Sequence, residues 1–595
     1  MLPLMRYKNS KGKYTITAFG GVNQSYSKGI NELSKAHNMS SSAYPAISSR
    51  RGAAQVRETE NTICTAGYFD KLYTVEKSGK ESGSVYLCTE TSQTQISEFA
   101  TLESGDKERT MEFIKNEILI LPDNIIYHTN TSAVKKGSVS ETITPASCQE
   151  KYKTQSKTSD IMPKPYDVWY SAYLTGNSIV SVSTTYRVSS GSYNFYAFSV
   201  STDFEIGDIV TVKLNVVPSF AIQNTEYFKY KEKMQNGITL KIKDIVKVTH
   251  STPSGNVTEC TSLIFDDNAI DMGGYSEIML LDVTVEKGIP NFTDICSFEN
   301  RMWGVTHDQI HASKLGDCSE WNDFTTDAYG TLPSSCFKTG VESDGSFTAI
   351  TAYNGNVLAF KEDCIYKIYG NEPSEYSLTR INCPGVEDGA KNTLAVVSGT
   401  LFYKGKSGIY AYNGSSVTLI SRFLSIENHT AGYAAGDDRY YYIELYADDR
   451  SCLYVYDTMY GIWHITDVEG QLKALTKTDD GIIMAYEDRI MQMEKGECGD
   501  WNFTFGFAKK EFESKHICNV LARYTLGQNA SAQISLTNKH GTKLLANLKG
   551  QADNKPVEIC VPVSCSEDAE LSFVGNGEFT LISLCIKYKE TGIND

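Results

Sequence analysis

Histidine spacing gives the first candidate for chemistry in this sequence. Two of the nine histidines, His307 and His311, stand four residues apart, and on a helix this spacing would place both imidazoles on one face, where they could hold a metal ion. The residues between them, Asp308 and Gln309 with their neighbours, instead indicate a polar turn between two β-rich runs. Helical ligand spacing does not apply to a hairpin, so we interpret both histidines as turn and strand residues.

Aspartates form a second candidate site. Asp266, Asp267 and Asp271 group the hard oxygen ligands that calcium prefers. The run lacks the glycine and the terminal glutamate of an EF-hand loop, so an Asx-type turn is the favoured interpretation and calcium is the alternative. The pairs 437–438 and 479–480 are Asp-Asp as well, at positions where hairpin turns favour Asp.

Catalytic signatures are missing from the sequence. It contains no Gly-x-Ser-x-Gly elbow, no phosphate-binding loop, no Rossmann glycine fingerprint and no His-Glu-x-x-His motif. A glycosidase carboxylate pair could stand among the 72 acidic residues, but no spacing singles one out. We therefore predict no catalytic, cofactor-binding or metal-binding residue, no cofactor, and a protein that is not an enzyme.

Composition restricts the class of protein. The 595 residues predict three or more domains, and the 37 Tyr and 45 Gly favour β structure with many turns. A formal net charge of −16 argues against a sequence-reading nucleic-acid binder, because such proteins gain affinity by neutralising phosphates. The same negative charge would suit a conduit that DNA passes without being gripped.

Cysteine usage and the lack of a recognisable targeting signal indicate synthesis in the cytoplasm. None of the 15 cysteines forms a Cys-x-x-Cys pair, and most lie in apolar strand patterns, so buried reduced thiols are expected rather than a disulfide framework. The N-terminus lacks the apolar core of a signal peptide. No apolar run approaches the roughly 18 residues of a transmembrane helix, so we expect no membrane insertion.

Short paired strands recur along the chain, and they would hold the side chains of any functional site in place. The repeated hairpins begin near Met302, Val357, Leu401, Tyr440 and Ile482. Their period of about 40 to 55 residues is typical of a propeller blade. Each hairpin follows another short strand, which gives three or four strands per repeat, and two earlier hairpins within 71–88 and 117–129 raise the total to about seven repeats.

The predicted fold is therefore all-β. We expect a β-propeller of about seven blades, discontinuous in sequence, with an inserted β-barrel-like domain and a C-terminal β-sandwich. Trp303, Trp321 and Trp463, like the aromatic strand at 440–442, are interpreted as blade-packing residues, with a sugar site as the alternative for the aromatic strands. The predicted domains are an N-terminal arm (1–55), the first blades (56–145), a linker and inserted domain (146–285), the remaining blades (286–498) and the sandwich (499–595).

The N-terminal arm has two interpretations. Gly20-Gly21 and Ser/Asn-rich turns break any long period within residues 1–55. Such a segment often crosses to a neighbouring subunit, and a simple surface lead-in is the alternative.

The repeats also carry a resemblance to a known family. Its motifs are Glu299-Asn-Arg-Met-Trp-Gly, Ile310-His-Ala-Ser-Lys-Leu-Gly-Asp, Trp321-Asn-Asp-Phe, Ala352-Tyr-Asn-Gly, Leu401-Phe-Tyr-Lys and Val455-Tyr-Asp-Thr-Met-Tyr-Gly-Ile-Trp-His. Over about 56–145 and 290–595 the sequence resembles structural proteins of bacteriophages with tails that infect Gram-positive gut bacteria. More distantly it is similar to the tail nozzle, or packaged-DNA stabilisation, proteins of short-tailed phages, which lack an obvious counterpart of the C-terminal sandwich.

The resemblance implies a function and a set of partners. It implies a virion protein of the tail or neck that forms a ring, expected to be hexameric, and that lines or closes the genome-delivery channel. Expected partners are further copies of the chain, other tail or neck proteins such as a tail adaptor, and genome DNA that passes without sequence-specific binding. The alternative is a tail-tip propeller that binds or cleaves host-surface glycans.

Overall fold

A computed structural model gives the fold of this chain. It describes residues 7–25, 28–68, 71–79, 83–97, 99, 109–143, 172–175, 178–180, 184–185, 194–195, 204–214, 237–251, 257–265, 277–280, 283–327, 330–447, 450–507, 514–538, 541–561 and 569–593. The regular secondary structure of these ranges is almost entirely β-strand, with one 3₁₀ turn at Lys391–Thr393. None of their helices is long and apolar enough to cross a membrane.

Five strands lie in the N-terminal segment, and two four-stranded meanders follow them. The first five strands are β1 (Tyr7–Ile16), β2 (Lys35–His37), β3 (Met39–Ser40), β4 (Ile47–Ser49) and β5 (Ala54–Glu58). The meanders are β6 (Thr62–Tyr68), β7 (Lys71–Lys77), β8 (Val85–Cys88) and β9 (Gln93–Gln95), then β10 (Thr110–Ile114), β11 (Glu117–Leu121), β12 (Ile125–His128) and β13 (Ala133–Lys136).

The inserted domain comes next. Its strands are β14 (Val139–Ile143), β15 (Ala172–Thr175), β16 (Ser178–Val180), β17 (Thr184–Thr185), β18 (Asn194–Phe195), β19 (Ile209–Leu214), β20 (Ile238–Ser251), β21 (Val257–Phe265), β22 (Glu277–Leu280) and β23 (Val283–Lys287). Eight of them form one sheet in the order β14-β23-β19-β20-β21-β16-β15-β22. A bulge at 242–244 divides β20 between its partners β19 and β21, so this long strand connects the two halves of the sheet.

The repeats then resume. Their strands are β24 (Asp294–Phe298), β25 (Arg301–Val305), β26 (Gln309–Ala312), β27 (Thr326–Asp327), β28 (Gly330–Thr331) and β29 (Phe337–Gly340); β30 (Ala349–Tyr353), β31 (Asn356–Phe360), β32 (Cys364–Tyr369) and β33 (Ser377–Asn382); β34 (Ala395–Val397), β35 (Thr400–Gly405), β36 (Gly408–Tyr412) and β37 (Val417–Leu419); β38 (Thr430–Gly436), β39 (Tyr440–Ala447), β40 (Arg450–Asp457) and β41 (Ile462–Asp467); and β42 (Ala474–Thr478), β43 (Gly481–Ala485) and β44 (Arg489–Gln492).

The four-stranded units form a β-propeller, as the sequence predicted. Six separate four-stranded sheets, together with the β38–β41 end of a nine-stranded sheet, make up these units. Their first strands contact one another from β6 through β10 and β24 to β30, and from β34 through β38 and β42 back to β6. One apolar core spans the remaining pair, β30–β33 and β34–β37. The second strand of a unit is covered from both sides, so β25 is buried at every position.

The N-terminal segment closes the propeller. Strand β5 pairs with β44 and supplies the fourth strand of the last unit, so a strand that precedes the first unit in sequence completes the last one. Arg57 of β5 donates to Glu76 of β7 at 2.5 Å and to Thr74 at 2.7 Å. The strand therefore connects the last unit to the first.

The same segment joins the propeller to the C-terminal sandwich. The sandwich strands are β45 (Asp500–Phe507), β46 (Ser514–Leu526), β47 (Ser531–Asn538), β48 (Gly541–Lys549), β49 (Ala552–Cys560), β50 (Ala569–Asn576) and β51 (Phe579–Ile593). Strand β2 lies between β41 of the propeller and β45 of the sandwich, while β1 and β4 pair with β51. The arm thus packs within its own chain, where the sequence had suggested a crossing to a neighbour or a surface lead-in.

Candidate functional site: the central channel

The first strands of the propeller units surround a central cavity. Its volume is about 380 Å³, and its polar lining includes Thr65, Glu112, Asp294, Lys391 and Lys473. Thr65, Glu112 and Asp294 stand in the first strands of three different units, and Lys391 and Lys473 stand just before the first strands of two others, β34 and β42. The cavity therefore brings acidic and basic groups together that are far apart in sequence.

Glu112 is the most perturbed acid of the channel. One carboxylate oxygen accepts hydrogen bonds from the Ser297 hydroxyl at 2.8 Å and the Ser297 backbone N–H at 3.2 Å. Burial raises the pKa of Glu112 to about 7, and Asp294 adds to the increase while the hydrogen bonds from Ser297 oppose it. A carboxyl group with this pKa is suited to proton transfer near neutral pH.

Asp294 and Lys391 are the neighbouring charged groups. Asp294 accepts a hydrogen bond from the backbone N–H of Ile350 at 2.9 Å. The Lys391 ammonium donates to the Thr110 hydroxyl at 3.1 Å and to the Thr293 carbonyl at 3.2 Å. These hydrogen bonds each connect one propeller unit to another, so the channel side chains hold the ring of units together.

Neither thiol chemistry nor metal binding is favoured in this channel. Burial raises the pKa of the Cys296 thiol well above its usual range, and Glu112 and Asp294 act in the same direction, so the reactive thiolate form is suppressed. In the part of the chain that the structure describes, no group of three or more His, Cys, Asp and Glu residues could hold a metal ion.

The hairpin that carries the family resemblance is built for packing. Arg301 is 2% exposed, and its guanidinium donates to the carbonyls of Ser313 at 2.6 Å, Ser335 at 2.7 Å and Pro333. This fixes the loop that leads from β26 to β29. The arginine of the motif is therefore a structural group and not a ligand-binding one.

The two tryptophans of the hairpin lie in different cores of the same unit. Trp303 packs in the core shared with β30–β33, and Trp321 packs in the core shared with β10–β13; each is 2% exposed. Trp463, 4% exposed, lies in the core shared with the sandwich. Their predicted role as packing residues is confirmed.

The histidines do not form a pair. His307 is exposed, whereas His311 is buried, and burial together with Lys338 lowers the pKa of His311 to about 4. His307 lies in the turn between β25 and β26 and His311 lies in β26, so they are turn and strand residues, as predicted. Their different environments leave no shared ligand face.

The remaining sequence candidates have structural roles where they are described. Asp437 accepts from the backbone N–H groups of Arg439 and Tyr440 at 2.7 and 2.6 Å, and so fixes the turn before β39. Asp479 and Asp480 occupy the turn between β42 and β43. Tyr441 and Tyr442 are buried in two different cores. Among the cysteines whose side chains are described, none forms a disulfide. The calcium candidate at 266–271 lies outside the described residues.

Glu112 and Asp294 were not found from the sequence. Both stand in short strands, Thr110–Ile114 and Asp294–Phe298, that begin a repeat and contain a single acid among apolar and small polar residues. A single acid in the first strand of a blade could identify a channel residue. Using this signal requires knowing which strand comes first in each blade, and only the fold shows that.

Comparisons with known proteins show likeness to solved structures. No protein-family model and no curated protein match the chain. The β-propeller domain of the Trilobed protease from Pyrococcus furiosus is 10% identical, with a TM-score of 0.26, over 74% of this chain and 97% of that one. Pyrococcus horikoshii acylaminoacyl peptidase is 8% identical, with a TM-score of 0.28, over 76% of this chain and 58% of that one.

A glycosidase is also among the matching structures. The exo-beta-1,3-galactanase of Phanerochaete chrysosporium is 7% identical, with a TM-score of 0.18, over 91% of this chain and 100% of that one. Likeness at these values extends to the fold alone and assigns no activity. The chain is an all-β propeller protein, and its resemblance to phage tail proteins stays a prediction.

Proposed function

We propose that this protein is a structural component of a phage virion, located in the tail or neck, where copies of it form a ring around the path of the genome. The observation that carries this proposal is the use of the 298–324 motif. Arg301, Trp303 and Trp321 are all buried and committed to loop fixing or blade packing. A motif used in this way supports an architectural role and not a reaction.

The size of the channel determines where DNA would pass. A cavity of about 380 Å³ cannot admit a duplex whose major groove alone is about 12 Å wide. The genome would therefore pass through the centre of a ring of copies and not through one propeller. The net charge of −16 favours passage without binding, since it gives no general attraction for phosphates.

Two parts of the chain are available for contacts between copies. The inserted domain emerges between the β10–β13 and β24–β29 units, and the sandwich lies beside the β38–β41 unit. Exposed apolar side chains occur on both, with Ile206 64% exposed near the insert and Leu544 55% exposed on the sandwich. Two different surfaces are what a closed ring of identical subunits requires.

Native mass spectrometry of the full-length protein tests the assembly. We expect a closed oligomer, with six copies as the specific expectation, either alone or after addition of tail extract. Monomers under both conditions would remove the proposal.

A second function is favoured by one observation, the presence of Glu112 and Asp294 in the same cavity. An acid with a pKa of about 7 beside a second carboxylate is the combination that glycosidases use. We rank it second, because both carboxylates already accept hydrogen bonds that connect propeller units.

A glycan array and a hydrolysis assay separate the two functions. Specific binding or cleavage by the native protein, abolished in Glu112→Gln, would favour the glycan function. Absence of both, for the native protein and for Glu112→Gln alike, agrees with the structural one.

A further inference from the structure

Four exposed lysines meet on the outer face of one sheet of the C-terminal sandwich. They form the lysine face, which consists of Lys11 and Lys13 on β1 and Lys587 and Lys589 on β51. Lys11 lies opposite Lys589, and Lys13 lies opposite Lys587. Side chains alternate along a strand, and Ile586 of β51 is buried in the sandwich core. The lysines therefore all project away from that core.

This arrangement is unfavourable within a single copy of the chain. Like charges directly opposite each other on neighbouring strands destabilise a sheet. The Lys587 ammonium lies 3.5 Å from a carboxylate oxygen of Glu558, but both side chains are about half exposed, so this ion pair contributes little. Among the residues that the structure describes, no carboxylate oxygen lies within 4 Å of the ammonium groups of Lys11, Lys13 and Lys589.

Protection of a sheet edge explains only half of the lysine face. Strand β1 is an edge strand, because it pairs with β51 alone, and lysines on an edge strand discourage pairing with other sheets. Strand β51 is paired on both sides, by β1 and by β46, so Lys587 and Lys589 do not protect an edge. The positive charge extends to Arg523 of β46, which is exposed and donates to the carbonyl of Asn554 at 3.2 Å.

A surface of opposite charge lies on the propeller. The turn between β42 and β43 contains Asp479 and Asp480, which are both exposed, and the turn between β38 and β39 contains the exposed Asp438. The Lys477 ammonium of β42 lies 3.3 Å from the Asp438 carboxylate, so the two turns are neighbours. Asp438, Asp479 and Asp480 are called the acidic turns below.

We propose that the lysine face binds the acidic turns of a neighbouring copy of the chain. This inference rests on the proposed function, because it names the contact that would close the ring. The two surfaces are different and belong to different domains, so the contact is heterologous, as a closed ring requires. The net charge of −16 favours another copy over DNA as the partner. DNA carries one negative charge per roughly 1.7 Å of helix axis, so the rest of the chain would repel it more strongly.

A charge exchange within the lysine face tests the contact. Lys13→Glu combined with Lys589→Glu leaves one lysine opposite one glutamate in each cross-strand pair, so the fold should keep its stability while the face loses its net positive charge. Native mass spectrometry should show a closed oligomer for the full-length native protein and only monomer for this variant under the same conditions. Lys543→Glu combined with Lys549→Glu is the matched control, because it makes the same charge change at exposed lysines of the other sheet, and it should assemble like the native protein.

The opposite surface provides a second test. Asp479→Lys combined with Asp480→Lys should also lose the oligomer, and a variant that carries all four substitutions, at Lys13, Lys589, Asp479 and Asp480, should regain it because both surfaces change sign.

The outcomes separate this inference from the proposed function. Assembly of Lys13→Glu/Lys589→Glu at the native level would overturn this contact and leave the ring in place, whereas a monomeric native protein would remove the ring and the contact together. Duplex DNA that binds the native protein and not Lys13→Glu/Lys589→Glu, with the oligomer intact in both, would assign the lysine face to nucleic acid instead.

Discussion

The carboxylate of Glu320 accepts a hydrogen bond from the backbone N–H of Ile209 at 3.1 Å, across 111 residues of sequence. Its other oxygen accepts from the backbone N–H of Asn322 at 2.8 Å, and the residue is only 7% exposed. Glu320 belongs to the loop after β26, and Ile209 begins β19 of the insert. One propeller loop therefore also orients the inserted domain.

Glu320→Gln should loosen the insert without unfolding the propeller. A glutamine has a single carbonyl acceptor, so one of the two backbone donors would face an NH₂ group, at an expected loss of about 1–3 kcal/mol. Hydrogen exchange at the Ile209 amide should accelerate accordingly. Glu205→Gln is the control, since the Lys135–Glu205 pair is at the surface, with Glu205 58% exposed, and should change stability by less than about 0.5 kcal/mol. Equal exchange rates in native protein and Glu320→Gln would contradict the anchoring role.

The channel acid predicts a pH dependence of stability. The folded-state pKa of Glu112 is raised from 4.5 to about 7. Its contribution is therefore fully present below the unfolded pKa and is lost as pH rises through about 7, a decrease of roughly 3 kcal/mol at most between these limits. Chemical denaturation at a series of pH values should show this decrease as a slope of the free energy of unfolding against pH in the native protein. In Glu112→Gln the slope should be smaller, and an unchanged slope would show that another group causes it.

Trp303→Ala should be strongly destabilising, because it empties a large volume from the core between two propeller units. The expected loss is about 3–5 kcal/mol in the free energy of unfolding. Phe324→Ala, in the same region but at a residue 45% exposed, should change this energy by less than about 0.5 kcal/mol. Urea denaturation of both variants measures the difference, and similar values for the two would argue against the packing role of Trp303.

Arg57→Ala should weaken the closure of the propeller. Glu76, 7% exposed, would lose the arginine that lies 2.5 Å away, at a cost of about 1–3 kcal/mol. The amides of β5 should then exchange faster than those of β7. Glu58→Gln, at an exposed position of the same strand, is the control, and its β5 amides should exchange like those of the native protein. If the β5 amides of Arg57→Ala also exchange at the native rate, Arg57 does not stabilise the closure.

The propeller repeats were predictable from sequence, whereas the closure of the propeller by the N-terminal segment was not. Hairpins such as β25–β26 and β31–β32 have local apolar periodicity and turn residues, so their spacing indicates a propeller. Strands β2 and β5 are short and pair with residues more than 400 positions away, and no local pattern reports such pairing. The channel was missed for a related reason: Glu112 and Ser297 belong to neighbouring units that the inserted domain separates by 185 residues of sequence.

Imaging of particles that carry this protein tests the central claim most directly. Cryo-electron microscopy of tailed virions, with the propeller and its sandwich fitted as one body, should show these subunits as a closed ring on the tail axis, with the inserted domain or the sandwich at contacts between copies. Subunits on peripheral fibres, or particles that lack the protein altogether, would contradict the proposed function.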